Sequence, residues 1–152
     1  MSQQNVEVVR QLNEPFAGID VAAIDWGADA IRESVEGLYS QDVELWTLES
    51  GIASGVDGHY RGADGVIQYL QDWLEPFSEY RIEWLDFIDD GDFVLAPSRQ
   101  WGVGAASGAR AELEITWLYE FENGVIRRMF QYDTLDEARK ALERMRQNET
   151  SK

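Results

Sequence analysis

From Arg110 to Asp133 the chain alternates apolar and polar residues in two long runs hinged on Asn123-Gly124. An Asn-Gly pair between alternating hydrophobics predicts a two-residue hairpin turn, because both turn residues need positive φ. A regular ladder then sets Glu122 opposite Val125, Phe121 opposite Ile126, Tyr119 opposite Arg128, Trp117 opposite Phe130 and Ile115 opposite Tyr132. Successive side chains point to opposite faces, so the last four pairs form one aromatic and aliphatic wall with a single cation, Arg128. The other face carries Glu112, Glu114, Thr116, Leu118 and Glu120 against Arg127, Met129 and Gln131. It leaves Leu118 and Met129 as an exposed pair that a second copy of the chain could cover.

Helical spacing governs the first third. Val6, Val9, Leu12 and Phe16 predict a short helix ending by Gly18, and Ile24, Ala28, Ile31, Val35 and Leu38 predict a second. Asp42 to Ser50 alternates as a strand, and Gly51 to Gly58 has no period and reads as a loop. Asp64-Gly65 opens a third helix carrying Val66, Leu70, Trp73 and Phe77, broken near Pro76. Tyr80 to Ile88 and Phe93 to Trp101 are strands around an Asp89–Asp92 turn of two or four residues, and Gly102 to Gly108 is a flexible connection. Thr134 and Glu137 form a capping box for a last helix presenting Leu135, Ala138, Leu142 and Met145. Residues 146–152 are polar and expected to fray. Helices followed by hairpin-joined strands predict an α+β domain over residues 1–152, its core about 6–142, with helices packed on one face of a bent antiparallel sheet.

Composition narrows the class. The chain has 152 residues, 44% hydrophobic and 12% aromatic with six Trp, which marks it as globular. No apolar run approaches the roughly 20 residues of a membrane span, and no secretory signal is visible. The absence of cysteine excludes disulfides and thiolate chemistry and fits a cytoplasmic protein. With 13 basic against 29 acidic residues the net charge is −16, so nucleic acid and anionic membranes are poor partners.

The order of elements, with His59-Tyr-Arg-Gly-Ala-Asp-Gly65, Gly102-Val-Gly-Ala-Ala-Ser-Gly108 and Asn123-Gly124-Val-Ile-Arg-Arg, resembles the SnoaL-like branch of the nuclear transport factor 2-like superfamily over about residues 6–142. The resemblance implies a cone-shaped, strongly bent sheet around helices, a deep apolar pocket and commonly a homodimer; the region Ile19 to Tyr39 is bulkier than usual. Superfamily enzymes include steroid isomerases, polyketide cyclases, epoxide hydrolases and dehydratases, and other members only bind. The steroid isomerase base falls at Thr47 here, with its oxyanion donors near Gln11 and Trp117. The cyclase acid/base falls at Gln131, and an amide cannot shuttle a proton at neutral pH. The epoxide hydrolase Arg-x-Asp pair falls on Arg99-Gln100-Trp101, which keeps the arginine alone. No catalytic set of the family transfers intact.

The residues themselves offer four candidates for chemistry. His59 is the sole histidine, placed at the expected pocket mouth, and alone titrates near neutrality unperturbed. Arg128, pointing into the aromatic face, needs a core acid or an anionic ligand, and Arg99 raises the same question. Asp86 interrupts the face of Tyr80, Ile82, Trp84 and Ile88, either as an acid of raised pKa or as the partner of Arg99. One His without Cys gives no metal site. Gly102 to Gly108 precedes a strand, so no phosphate loop or other cofactor motif is legible. Trp46, Trp84, Trp101 and Trp117, with Tyr60, Tyr119 and Tyr132, are the expected walls for a small apolar organic ligand. Two functions follow: a dimeric pocket domain that binds such a molecule, with or without isomerising, cyclising or dehydrating it, or a non-catalytic module whose interior is filled and whose sheet pairs with a partner.

Overall fold

The first apolar stripe becomes helix α1, Ser2–Asn13, continued by a 3-10 turn at Glu14–Phe16. The computed structural model describes residues 2–47 and 58–150. The predicted second helix is shorter than its apolar stripe. A 3-10 turn at Val21–Ala23 and an Asx turn, in which Asp25 Oδ1 accepts from Gly27 N at 3.1 Å, occupy the first part, and helix α2 spans Asp29–Leu38. A short side chain that bonds its own backbone competes with helix. Strand β1 is Tyr39–Trp46; the continuation expected to Ser50, and the loop expected from Gly51, fall outside the described residues up to residue 57. Strand β2 (His59–Arg61) leads into helix α3, Gly62–Leu74.

The remaining elements are β3 (Phe77–Trp84), β4 (Ile88–Asp90), β5 (Phe93–Gly104), β6 (Arg110–Glu122), β7 (Val125–Tyr132) and α4 (Leu135–Thr150). Among the described residues the strands form one curved, unclosed seven-stranded sheet in the order β2-β1-β7-β6-β5-β3, with β4 also on β5. The sheet is mixed, not wholly antiparallel, because β1 runs parallel to β7. Between β3 and β4 the ladder is interrupted at residues 85–87, so Tyr80, Ile82 and Trp84 line the concave face while Asp86 is exposed outside it. The β4–β5 turn has two residues, Gly91 and Asp92, as Asp90 pairs with Phe93.

Asn123 and Gly124 have φ of 55° and 80°, as the hairpin turn requires. The first two expected pairs, Glu122–Val125 and Phe121–Ile126, hold. Beyond them the ladder slips: Glu120 faces Arg128, Tyr119 faces Met129, Leu118 faces Phe130 and Trp117 faces Gln131. Arg127 is the extra residue of a β-bulge, and a one-residue slip turns every later side chain to the opposite face. Met129 and Gln131 therefore point into the concavity, and Arg128, Phe130 and Tyr132 point out of it.

The outer face is covered as well. Thr134 Oγ1 accepts from Glu137 N at 3.1 Å, starting α4 as its capping box predicts. Ala138 and Leu142 of α4 are buried against Phe93, Leu95 and Leu118, with Phe130, Tyr132 and Met145 packed around them. This is why every residue from Ile115 to Phe121 is buried, where a half-buried strand would alternate. Leu118 and Met129 lie on opposite faces, both buried, so the apolar patch expected to pair two copies does not exist. The expected fray does not begin at Arg146, which stays on the helix and donates to Asp90 O at 2.9 Å and Asp90 Oδ1 at 3.0 Å; residues 151 and 152 lie outside the described residues.

The segment after α1 borders β3. Gly18 N donates to Ile82 O at 3.0 Å, Tyr80 N donates to Asp20 Oδ1 at 2.9 Å, and Arg81 Nη1 donates to Gly18 O at 2.7 Å.

Candidate functional site

The concave face of the sheet and helices α1 to α3 surround a cavity of about 130 Å³. Trp26, Ile31 and Phe16 flank it on the helical side, and Phe16 packs against Trp26 with ring centroids 5.3 Å apart. Helix α3 contributes Val66, Tyr69, Leu70 and Trp73, which share a face by their three- and four-residue spacing. The sheet contributes Tyr39 and Leu45 from β1, Tyr80, Ile82 and Trp84 from β3, Gln100 from β5, Trp117 and Tyr119 from β6, and Met129 from β7. Among the described residues, no Asp, Glu, His, Lys or Arg lines this cavity. Its polar atoms are phenols, amides, indole N–H groups and the Ser34 hydroxyl.

Those polar groups fall into two sets. One is a closed chain: Tyr80 donates to Gln100 Oε1 at 2.5 Å, Gln100 Nε2 donates to Ser98 Oγ at 2.9 Å, and Ser98 donates to the Ile115 carbonyl at 2.8 Å. The other is a group of phenols that receive hydrogen bonds. Asn13 Nδ2, held by Val9 O at 3.1 Å, donates to the Tyr119 hydroxyl at 3.2 Å, and Gln131 Nε2 donates to the Tyr69 hydroxyl.

Burial pushes the Tyr39, Tyr69, Tyr80 and Tyr119 phenols well above the ordinary tyrosine range. At Tyr39 the neighbouring Tyr119 adds to this; at Tyr69 so do Tyr80 and Tyr119, and at Tyr119 the Asn13 hydrogen bond opposes it in part. All four are neutral donors at physiological pH.

Of the residues singled out from sequence, Trp84, Trp117 and Tyr119 line the cavity. Tyr60 is buried just behind it, its ring 5.7 Å from Tyr69 and its hydroxyl donating to Asp72 Oδ2 at 2.7 Å. The others are elsewhere. His59 Nε2 is 2.8 Å from Glu44 Oε2 on the outer side of β1, where Trp46 stacks between His59 and Phe130 at 4.5 and 4.9 Å. Tyr132 continues that ladder, 6.5 Å from Phe130. Arg128 pairs with Glu120 on the same outer face, because of the bulge.

Arg99 is exposed, level with Glu83 on one side and Glu114 on the other, and not with Asp86. Trp101, two residues on, also points outward, with the Arg110 guanidinium 4.3 Å over its ring. Asp86 accepts from Phe87 N at 2.8 Å in the segment between β3 and β4. Sequence reasoning missed Tyr39, Tyr69, Trp26 and Asn13 as lining residues. Tyr69 was legible, since it stands three residues after Val66 and four before Trp73 on one helix face.

Chemically the cavity offers apolar walls and neutral hydrogen-bond donors. Among the described residues no acid or base of the ordinary catalytic types (Asp, Glu, His or Lys) lines it to serve general acid–base catalysis. Among the described residues no three His, Cys, Asp or Glu cluster to hold a metal, and no helix is long and apolar enough to cross a membrane.

A model of the SnoaL-like domain family matches residues 9–129. No curated protein matches the chain. Among solved structures, a nuclear transport factor 2-like protein of unknown function from Burkholderia pseudomallei is 20% identical with a TM-score of 0.68, covering 89% of this chain and 94% of its own. A candidate SnoaL-like polyketide cyclase from Jannaschia is 17% identical with a TM-score of 0.67, covering 90% of each chain. TerC, co-crystallised with polyporic acid, is 19% identical with a TM-score of 0.64, covering 92% of this chain and 98% of its own. At these identities the likeness establishes the fold alone.

Proposed function

Because the chain belongs to the SnoaL-like domain family, we propose that it binds a small, neutral, mostly apolar organic molecule in the cavity between α1–α3 and the sheet. The observation that carries this reading is the uncharged lining. A charged ligand would lose its hydration there and meet no counter-charge, a cost of several kcal/mol that apolar contact does not offset. A neutral ring would instead meet Trp, Tyr and Phe faces. The solved neighbour holding polyporic acid supports a small-molecule role for the fold.

The volume sets the size. About 130 Å³ is close to the roughly 150 Å³ apolar cavity that accepts benzene, and below the roughly 300 Å³ where drug-sized pockets begin. The ligand is accordingly one substituted ring, not a polycyclic polyketide. With no Asp, Glu, His, Lys or Arg on the walls among the described residues and the phenols neutral, the protein carries or retains this molecule and does not isomerise, cyclise or dehydrate it by proton transfer from its side chains at neutral pH.

Calorimetric titration with toluene, benzoate and benzylammonium tests this. Binding of toluene without the two ions is the expected result. Benzoate or benzylammonium binding as tightly as toluene, or no binding by any of the three, overturns it.

A further inference from the structure

The cavity's hydrogen bonds are unequally finished. Tyr80 gives its proton to Gln100, and that chain ends on a backbone carbonyl, so nothing in it is left over for a ligand. Tyr119 differs: it is 1% exposed, it accepts from Asn13, and among the described residues nothing accepts its own proton. The Tyr69 hydroxyl likewise accepts, from Gln131, and its proton has no acceptor among the described residues. Tyr39 is 6% exposed, and its hydroxyl makes no hydrogen bond among the described residues.

These three side chains come from β6, α3 and the start of β1, and all line the same cavity. Buried polar groups are almost always satisfied, so three unused O–H donors on one cavity point to an absent acceptor. Resting on the proposed binding function, we infer that Tyr39, Tyr69 and Tyr119 form a donor cluster for a ligand oxygen, so that the bound molecule is an aromatic ring bearing a carbonyl or ether oxygen. Tyr119 is near both of the others, and its phenol adds to the rise that burial gives Tyr39 and Tyr69. Asn13 and Gln131 use up acceptor capacity on Tyr119 and Tyr69, which turns their protons outward. A ligand donor would find few acceptors here, and a ligand acceptor finds three donors.

Acetophenone and α-methylstyrene share a shape and differ in C=O against C=CH2. Their affinities, measured by calorimetry, separate the oxygen site from the cavity itself. In the wild-type protein acetophenone is expected to bind at least as tightly as the alkene, although its carbonyl is the better hydrated in water. Tyr119→Phe and Tyr39→Phe should each weaken acetophenone by about tenfold and leave α-methylstyrene unchanged. Acetophenone binding about tenfold weaker than the alkene in wild type, the loss expected for a desolvated and unpaired carbonyl, overturns the donor cluster while the binding function stands. So does equal binding of the two ligands that neither substitution changes. Failure of both ligands to bind removes the proposed function with it. The wild-type comparison needs no variant, so a misfolded Tyr119→Phe protein leaves the test intact.

Discussion

Arg128 and Glu120 face one another across β7 and β6 as a two-pronged ion pair, Arg128 Nε donating to Glu120 Oε1 at 2.8 Å and Nη2 to Oε2. Glu120 is 6% exposed, on the face that α4 covers, and Arg127 approaches the same carboxylate at 3.7 Å. Removing the charge by Glu120→Gln takes the two-pronged carboxylate away from the half-buried Arg128 guanidinium. The expected loss is about 1–3 kcal/mol, read from urea unfolding. An unchanged unfolding midpoint would mean that the pair is a surface contact of no consequence.

Deleting Arg127 is the sharper test of the bulge. It would leave an unbroken ladder in which Glu120 still faces Arg128 and Tyr119 still faces Met129, so Met129 and Gln131 keep the concave face. A cooperative thermal transition is expected from such a protein, as from Arg127→Ala, and its loss on deletion alone would show that the bend and twist of the bulge are themselves required.

Gly102 lies under Phe77 and Tyr80. A Cβ there would fall 2.6 Å from Phe77 Cδ1 and 2.7 Å from Tyr80 Cδ2, well inside van der Waals contact. Gly102→Ala should cost about 1–3 kcal/mol and disturb the Tyr80–Gln100 bond. Differential scanning calorimetry would register it as a lowered Tm, in contrast to Gly37→Ala, where a Cβ meets nothing within 4 Å.

Tyr39→Phe should be neutral or slightly stabilising without ligand, because it removes a buried hydroxyl that bonds to none of the described residues. A fall of more than about 1 kcal/mol would show that the hydroxyl has a protein partner after all.

The buried phenols also set an alkaline limit. Their folded pKa values stand above the free value of 10.0. Their contribution to stability is thus full below pH 10 and is lost as pH rises through the folded values, since the unfolded chain releases the protons first. Melting temperature measured from pH 8 to 11 should begin to fall near 10, more gently in Tyr119→Phe. Ligand binding, by contrast, should be flat from about pH 6 to 9, because no lining residue titrates there.

The local signals in the sequence were strong where one principle acted alone. The Asn123-Gly124 turn, the Thr134 cap and the α3 stripe each depend on residues a few positions apart, and each is present. The site was less legible because facing depends on register. Arg127 looks like any other strand residue, yet as a bulge it exchanges Arg128 and Phe130 for Met129 and Gln131 on the concave face, and Met129 reaches the cavity wall. Trp101 and Trp46 have the size and aromatic surface expected of walls, although strand alternation sets Trp46 on the face opposite Val43 and Leu45. The double burial of β6 came from α4, which returns over the outer face from the end of the chain, and nothing inside Arg110–Glu122 announces that helix. The tyrosine cluster was hidden for a similar reason: Tyr39, Tyr69 and Tyr119 are far apart in sequence and meet only when the sheet curves.

The contacts of Gly18 and Asp20 with β3 reach further than local geometry. An edge strand with free amides and carbonyls invites strand addition from another molecule. Here Asp20 holds the Tyr80 amide and Gly18 the Ile82 carbonyl, and the edge breaks at residues 85–87 before β4. At the opposite border β2 has three residues. A chain this rich in aromatic strand residues would otherwise be prone to assemble into cross-β fibrils, and the fold guards against this by occupying the β3 edge with the Gly18–Asp20 segment, so Asp20→Ala is the change that should open the protein to seeded aggregation.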